Sequence, residues 1–151
     1  MEKVFSFEDF IVGSKFRTFG RTITEADLVN FVNATGFTEV LFTNTEFLKK
    51  SSAIKGRVVP AALIYSFSEG LSTPMMQGTG LAFLNATIDV KAPTFANDTI
   101  HIEIEVIELR LTSKGDRGLS RTLNRVINQH GEIVLTYNPL RLIKGKNYVN
   151  C

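Results

Sequence analysis

Two glutamates in apolar surroundings are the side chains of this sequence best suited to acid–base chemistry. Glu39 lies within the segment FTEVLF, and Glu69 falls near the end of an apolar stretch that begins at Val58. Apolar neighbours can raise the pKa of a carboxyl group and so suit it to act as a general base. An ordinary surface position is the alternative for both residues, so their roles stay open at this point.

The other polar candidates are two histidines and a pair of cations. His101 falls on the polar side of an alternating segment and His130 falls in a turn, so we expect both imidazoles to face solvent. Lys55 and Arg57 precede the apolar stretch, where they could contact phosphate groups, although Arg57 could equally have a structural role. The sequence predicts no metal site.

Composition excludes several classes of function. A chain of 151 residues most simply forms one domain over 1–151. Its net charge of +2, without any Lys/Arg-rich run, argues against binding to nucleic acid. No apolar run approaches the roughly 18 residues that span a bilayer, and no signal pattern is visible. The single cysteine, Cys151, allows no internal disulfide, so we expect a cytoplasmic protein.

Local signals predict two helices in the first third of the chain. Thr24 can cap a helix whose third residue, Asp27, bonds back to the cap, and Gly36 ends it. A second, short helix is predicted over 45–52 with Thr45 as its cap. The segment 15–23, before the first helix, suits one continuous strand.

The stretch 58–71 is the most apolar helix candidate. Pro60 fits its first turn, where the missing N–H costs nothing. Apolar side chains cover nearly every side of this segment, which predicts a helix that is buried all round.

Alternation of apolar and polar residues predicts antiparallel strands in the second half. The apolar members of the first two strands are Leu84, Ala86, Ile88 and Val90, followed by Ile100, Ile102, Ile104 and Val106. The apolar phase changes after Val106, which indicates a bulge there. Turns over 114–118 and 129–132 separate the later strands, and Pro139 limits pairing in the strand 133–143. A long buried helix and an antiparallel sheet together predict an α+β class.

One strand has an unusual distribution of side chains. Its polar side consists of Ser120, Thr122 and Asn124, and its other side of Leu119, Arg121, Leu123, Arg125 and Ile127. If the polar side faces the central helix, it borders a wet tunnel. The apolar side is then free for a contact between subunits.

Four segments in order resemble the MaoC-like (R)-specific enoyl-CoA hydratases. FEDFIVGSKF (7–16) resembles an opening segment of that family, and RTITEADLVNFVNATG (21–36) resembles its first helix. GRVVPAAL (56–63) and KAPTFANDTI (91–100) resemble the start of its central helix and a later loop. The resemblance covers the chain from about Phe7 to Lys144.

The resemblance implies a fold, a reaction and an assembly. The fold is the hot-dog, in which an antiparallel sheet wraps a long central helix, and hot-dog proteins usually form dimers with ligands at the interface. The reaction adds water to a 2-enoyl thioester, or removes it from a 3-hydroxyacyl thioester. An Asp and a His from one loop hold the water, while a helix N-terminus polarises the thioester carbonyl.

This sequence departs from the family at the residues that perform the chemistry. The family's loop pattern is Asp-x-Asn-Pro-x-His, and the matching residues here are Phe37, Glu39, Val40 and Phe42. A shift of two places Glu39 at the Asp position, but no shift supplies a His. Phe37 and Phe42 then either fill the former water site or line an apolar acyl pocket. Pro60 and Ala61 replace His–Gly, and the Ala61 amide could still contact the thioester oxygen.

The hypothesis that follows is a protein that binds acyl-CoA or acyl-carrier thioesters without the usual hydratase dyad. Candidate contacts with the substrate are Phe37, Phe42, Lys55, Arg57, Pro60 and Ala61. No cofactor is expected besides the thioester itself. The partner would be a second copy or a homologue that carries the dyad, in which case this chain is a non-catalytic subunit. The alternative is an active hydratase, dehydratase or thioesterase that uses Glu39 or Glu69.

Overall fold

The computed structural model describes residues 4–150, so the single cysteine, Cys151, lies outside the described residues. Its helices are α1 (Glu25–Thr35), α2 (Val40–Thr43), α3 (Thr45–Lys50) and α4 (Ala61–Ser72), with short 3-10 turns at Phe7–Asp9 and Pro74–Met76. Its strands are β1 (Lys15–Arg17), β2 (Arg21–Thr22), β3 (Gly80–Asn85), β4 (Ile88–Val90), β5 (Thr99–Leu111), β6 (Arg117–Ile127), β7 (Ile133–Tyr137) and β8 (Leu140–Lys144). No helix within 4–150 is long and apolar enough to cross a membrane.

All strand pairs are antiparallel, and β5 and β6 form the centre of the sheet. β1 and β2 both pair with the free side of β5. On the other side of β6, the two halves of the strand pair with β8 and β7. β3 and β4 then pair with β8 and β7 and form the far edge. The α+β prediction is therefore confirmed.

Several predicted strands are broken in two. The segment 15–23 is interrupted at 18–20, because the Thr18 hydroxyl, and not a backbone carbonyl, accepts from the Ile102 amide at 3.0 Å. Only the short pieces β1 and β2 therefore pair with β5. The segment 133–143 is interrupted at 138–139, where Pro139 has no N–H to donate to a ladder. The predicted bulge near Val106 is confirmed, since the register between β5 and β6 shifts between Val106 and Glu108.

The first helix has the predicted ends. The Asp27 amide donates to the Thr24 hydroxyl at 3.1 Å, and the Thr24 amide donates to the Asp27 carboxylate at 2.8 Å. Gly36 ends α1 at φ 72°, in the left-handed region. The predicted cap of the next helix is wrong. Asn44, not Thr45, caps α3, and its side chain accepts from the Phe47 amide.

Helix α4 packs against the inner face of the sheet. Its buried residues, which face β5 and β7, are Leu63, Ile64, Ser68 and Ser72. The helix starts three residues later than predicted, because Val58 forms a bridge with Phe95 and Pro60 becomes the cap. The prediction that it is buried all round is also wrong. Small residues expose one side of the helix to solvent: Ala62, Ser66 and Gly70.

Candidate functional site

An apolar cavity of about 380 Å³ opens beside the first turn of α4. Its walls are formed by helix α2, the segment that leads into α4, the first turn of α4, strand β4 with the loop that follows it, and strand β7. The lining residues are Leu41, Phe42, Ile54, Val58, Val59, Ala61, Ile64, Val90, Lys91, Ala92, Pro93, Thr94, Val134 and Leu135. Pockets of this size and polarity commonly hold small apolar ligands or the apolar part of larger ones.

The first turn of α4 has two free backbone donors, and one of them belongs to a residue of the cavity wall. Pro60 has an extended backbone (φ −59°, ψ 138°), and its carbonyl accepts from the amide of Leu63. The amides of Ala61 and Ala62 have no acceptor among residues 4–150, as expected at a helix start. Ala61 also lines the cavity, whereas Ala62 is exposed. A carbonyl oxygen bound near Ala61 would meet positive partial charge.

The two phenylalanines that the resemblance matches to a catalytic dyad lie in different environments. Phe42 is buried (8% exposed) and lines the cavity, while Phe37 is 37% exposed and is not among the lining residues. Their ring centroids are 6.1 Å apart in an edge-to-face arrangement, and the Phe31 ring centroid lies 5.8 Å from that of Phe37. An aromatic row therefore runs from α1 to the cavity wall.

Glu39 is the residue before α2 and is exposed to solvent. Its backbone carbonyl accepts from the Phe42 amide at 2.9 Å and from the Thr43 hydroxyl at 3.0 Å. Leu41 and Phe42, two and three residues later, line the cavity, but Glu39 does not. Glu39 is therefore close in the chain to the cavity wall, but it is exposed to solvent and is not part of the lining.

Arg57 joins three parts of the site through its guanidinium. Its Nε donates to the Glu25 carboxylate at 2.9 Å, and a terminal nitrogen donates to the backbone carbonyl of Phe42. The side chain thereby ties the start of α1 to the end of α2 and positions the cavity wall. Lys55 is exposed and donates to the Lys49 carbonyl at 3.4 Å.

Glu69 lies on the second half of α4, away from the cavity. Both of its carboxylate oxygens accept from one Arg141 nitrogen, at 2.5 and 2.7 Å. The side chains are 21% and 13% exposed, so this ion pair is largely shielded from water. The distribution of residues along the sequence gave no signal for Arg141, because the pair joins positions 72 residues apart.

A cluster of polar side chains lies beneath the second half of α4, and the sequence predicts only part of it. The polar side of β6 does face the helix, and Ser120 and Asn124 are 2% and 1% exposed. The Tyr137 hydroxyl lies 3.5 Å from the Ser72 hydroxyl. Burial raises the pKa of Tyr137, and the nearby negative charge of Glu69 adds to this shift. The phenol therefore stays neutral in the folded protein.

Neither a metal cluster nor a histidine is part of these sites. Residues 4–150 contain no group of three or more His, Cys, Asp or Glu side chains that could hold a metal. His130 is exposed in the turn before β7, as predicted. The same prediction is wrong for His101, whose side chain on β5 is only 16% exposed, with its Nε2 3.9 Å from the Glu103 carboxylate.

Comparison with known proteins was informative for structure but not for sequence. No protein-family model matches the chain, and no curated protein matches it. Among solved structures, it is similar to a monoamine oxidase regulatory protein from Archaeoglobus fulgidus. The two are 27% identical with a TM-score of 0.86, over 96% of this chain and 97% of that one.

Other structural matches carry the names of dehydratases and hydratases. A putative MaoC domain protein dehydratase from Chloroflexus aurantiacus is 24% identical, with a TM-score of 0.89 over 98% of this chain and 43% of its own length. An R-hydratase from Pseudomonas aeruginosa is 21% identical, with a TM-score of 0.77 over 97% and 92%. The HadBC 3R-hydroxyacyl-ACP dehydratase complex from Mycobacterium tuberculosis is 14% identical, with a TM-score of 0.74 over 88% and 97%.

These matches confirm the fold that the resemblance predicted. The chain has a hot-dog fold, with an antiparallel sheet around the helix α4, and it shares this fold with MaoC-like dehydratases.

Proposed function

We propose that this protein binds acyl thioesters, carried on CoA or on a carrier protein, in the cavity beside the start of α4. The observation that supports this most directly is the combination of an apolar cavity with the free Ala61 amide at its wall. The cavity suits the acyl chain, and the amide suits the thioester carbonyl oxygen.

The chemistry of the lining favours binding over hydration. Among the described residues that form the cavity wall, only Lys91 and Thr94 carry polar side chains, and none is Asp, Glu or His. Hydration of a double bond needs a group that takes a proton and one that gives it, both next to a water molecule. On this proposal, the chain by itself hydrates enoyl thioesters inefficiently.

A partner subunit is part of the proposal. The apolar side chain of Val90 is 58% exposed on the edge strand and also lines the cavity, so a subunit that covers this edge would help to enclose the ligand. We propose either a homodimer or a heterodimer with a homologue that carries the dyad. One of the matched structures is itself a dehydratase complex, which supports the second form.

An enzymatic alternative rests on the position of Glu39. This residue lies two positions before Leu41 in the cavity wall, so its carboxylate would have to turn inward to reach a bound thioester. Glu69 is less suited to such a role, because both of its oxygens are engaged by Arg141. Glu39→Gln should abolish any hydration, dehydration or thioester hydrolysis that depends on this residue.

A panel of saturated acyl-CoA, 2-enoyl-CoA and 3-hydroxyacyl-CoA esters tests both forms of the proposal. Calorimetry measures binding, and mass spectrometry of the incubated esters detects gain or loss of water and release of free CoA. We expect binding with unchanged esters. Turnover that Glu39→Gln removes would establish the alternative, and absence of binding across CoA and carrier-bound esters would refute the proposal.

Two neighbouring alanines provide a matched pair of variants. Ala61 lines the cavity and Ala62 is exposed, while both lie in the first turn of the same helix. Ala61→Leu should reduce the affinity for the acyl thioester at least tenfold by filling the cavity. Ala62→Leu should leave the affinity unchanged, because this side chain is exposed and does not line the cavity. It should also leave the helix intact, since leucine and alanine have similar helix propensities. Equal effects of the two substitutions would place the ligand elsewhere.

A further inference from the structure

A second, smaller cavity lies beneath the C-terminal half of α4. Its volume is about 20 Å³, and its walls come from β5, β6, β8, α4, the turn after α4 and the segment before β1. The polar lining residues are Ser72, Ser120, Thr122, Asn124 and Arg141, and the apolar ones are Phe10, Met75, Met76, Ile104 and Ile143. A polar cavity needs about 10–15 Å³ to hold one water molecule, so this one has room for a single water.

Ser120 has an unsatisfied hydroxyl at this cavity. The residue is 2% exposed, and its Oγ has no hydrogen-bond partner within residues 4–150. It is the only such side-chain atom among the described residues. Native proteins rarely leave a buried hydroxyl unpaired, because the group has lost its hydration without a replacement.

The neighbouring hydroxyls are arranged to accept hydrogen bonds rather than to donate them. The Thr122 hydroxyl already donates to the Asn124 side-chain oxygen at 2.7 Å, and the Ser72 hydroxyl donates to the Ser68 carbonyl at 2.7 Å. Both oxygens therefore retain free lone pairs, while the Ser120 hydroxyl retains its proton. A molecule that accepts one hydrogen bond and donates two would complement all three groups.

The charge of the site is balanced before any ligand enters. Arg141 lies opposite Ser120 in the β6–β8 ladder and reaches the cavity, but its guanidinium is paired with both oxygens of Glu69. Tyr137 stays neutral because burial raises its pKa. An ion would therefore bring an uncompensated charge into a buried position, which is costly. A neutral molecule is favoured.

We propose that this cavity is a binding site for one internal water molecule, which accepts from the Ser120 hydroxyl and donates to Thr122 and Ser72. The water joins β6 to α4 across the polar half of the interior. It is separate from the acyl-thioester cavity, with which it shares no lining residue, and it does not depend on the proposed function.

A crystal structure of the full chain tests the proposal. We expect a fully occupied water within about 3.2 Å of Ser120 Oγ. In a crystal of Ser120→Ala, the water should be lost or its occupancy should fall by at least half. Wild-type density that shows an empty cavity, or a Ser120 hydroxyl bonded only to backbone, would overturn the proposal.

Thermal unfolding of the same variant is an independent test, because the two possibilities predict changes of Tm in opposite directions. If water satisfies the hydroxyl, Ser120→Ala loses a hydrogen bond and should lower Tm by about 2–4 °C. If the hydroxyl is unpaired, its removal relieves a penalty, and Tm should rise. Ser113→Ala, in the exposed turn between β5 and β6, is the matched control and should not change Tm. An unchanged or raised Tm for Ser120→Ala contradicts the proposal.

Discussion

Asp27 shows how one side chain at a helix start makes stability depend on pH. The Thr24 backbone amide donates to its carboxylate, which lowers the Asp27 pKa, and the Thr24 hydroxyl and Arg21 lower it further. Because the folded pKa is depressed, this stabilisation is present above the ordinary value of about 3.9 and is lost as the pH falls through the folded pKa.

Asp27→Asn should therefore reduce the free energy of unfolding more at neutral pH than in acid. A capping residue contributes about 1 kcal/mol, so we expect a loss of that size at pH 7 and a smaller loss below about pH 3. Urea unfolding at the two pH values measures this. Glu46→Gln removes one charge from an exposed part of α3 and serves as the control. Equal losses for Asp27→Asn at both pH values would contradict the expectation.

Arg57 makes two contacts whose contributions to the free energy of unfolding can be compared. Its ion pair with Glu25 is partly exposed, and such pairs contribute little, whereas its bond to the Phe42 carbonyl satisfies a backbone group. Arg57→Lys keeps the charge but cannot reproduce the forked contact, and we expect a loss of about 1–2 kcal/mol in urea unfolding. Glu25→Gln should cost less than about 1 kcal/mol. A larger effect of Glu25→Gln would show that the ion pair dominates.

Which residue contacts could be predicted depends on how far apart the partners are in the chain. Thr24 and Asp27 are three residues apart, so their reciprocal bonds are visible in the sequence. The Glu69–Arg141 pair joins two elements that meet only when the sheet wraps α4, so no local sequence pattern predicts it. The roles assigned to Phe37, Lys55, Pro60 and the other candidate contacts stay predictions.

At the scale of elements, two glycines inside regular structure have opposite consequences. A methyl group added at Gly70 of α4 would meet nothing within 4 Å, whereas one added at Gly118 of β6 would lie 2.2 Å from the Phe7 ring. Gly70→Ala should stabilise the protein by about 0.5–1 kcal/mol, because alanine loses less conformational entropy in a helix. Gly118→Ala should destabilise it by about 1–3 kcal/mol, since the ring must move. Chemical unfolding should give these opposite signs, and a destabilising Gly70→Ala would show that this face of α4 is covered in solution.

The boundaries of helices and strands could be predicted from the sequence only where neighbouring residues in the chain determine them. The change of apolar phase after Val106 predicted the bulge in β5, and Pro139 predicted weak pairing near the middle of the last strand. The break at 18–20 was missed, because it depends on Thr18 bonding to β5, a contact between segments about 84 residues apart. The extra turn α2 was missed because four residues are too few for a helical period.

At the scale of the molecule, the order of strands could not be read from periodicity. Alternation identifies a strand and its two faces but not its neighbours, so the hot-dog arrangement came from the family resemblance. The apolar cavity beside α4 combines segments around positions 41, 61, 92 and 135, which are adjacent only in that arrangement. Its lining contains no Asp, Glu or His, in line with the sequence of the loop around Phe42.

The outer edge of the sheet is where we expect a second subunit. β3 and β4 form an edge with large exposed apolar side chains: Phe83, Leu84, Ile88 and Val90. An uncovered edge of this kind is prone to pair with another strand. Sedimentation of the wild type should show a dimer, and Ile88→Lys should shift it toward monomer. Ile107→Lys, at a similarly exposed position on β5, is the control. Loss of the dimer with Leu123→Lys instead would place the contact on the outer face of β6.

Assembly and ligand binding should be coupled through this edge, because Val90 belongs both to the exposed strand and to the cavity wall. Ile88 lies on the same strand but does not line the cavity. If the second subunit encloses the ligand, dimerisation and binding of an acyl thioester are linked equilibria. Ile88→Lys should then weaken the binding of the thioester. The loss of affinity should be about the same as that caused by diluting the wild type below its dimer dissociation constant. Calorimetric titrations of both proteins across a concentration series measure this factor. A monomeric Ile88→Lys variant that binds with wild-type affinity would show that one chain forms the whole site.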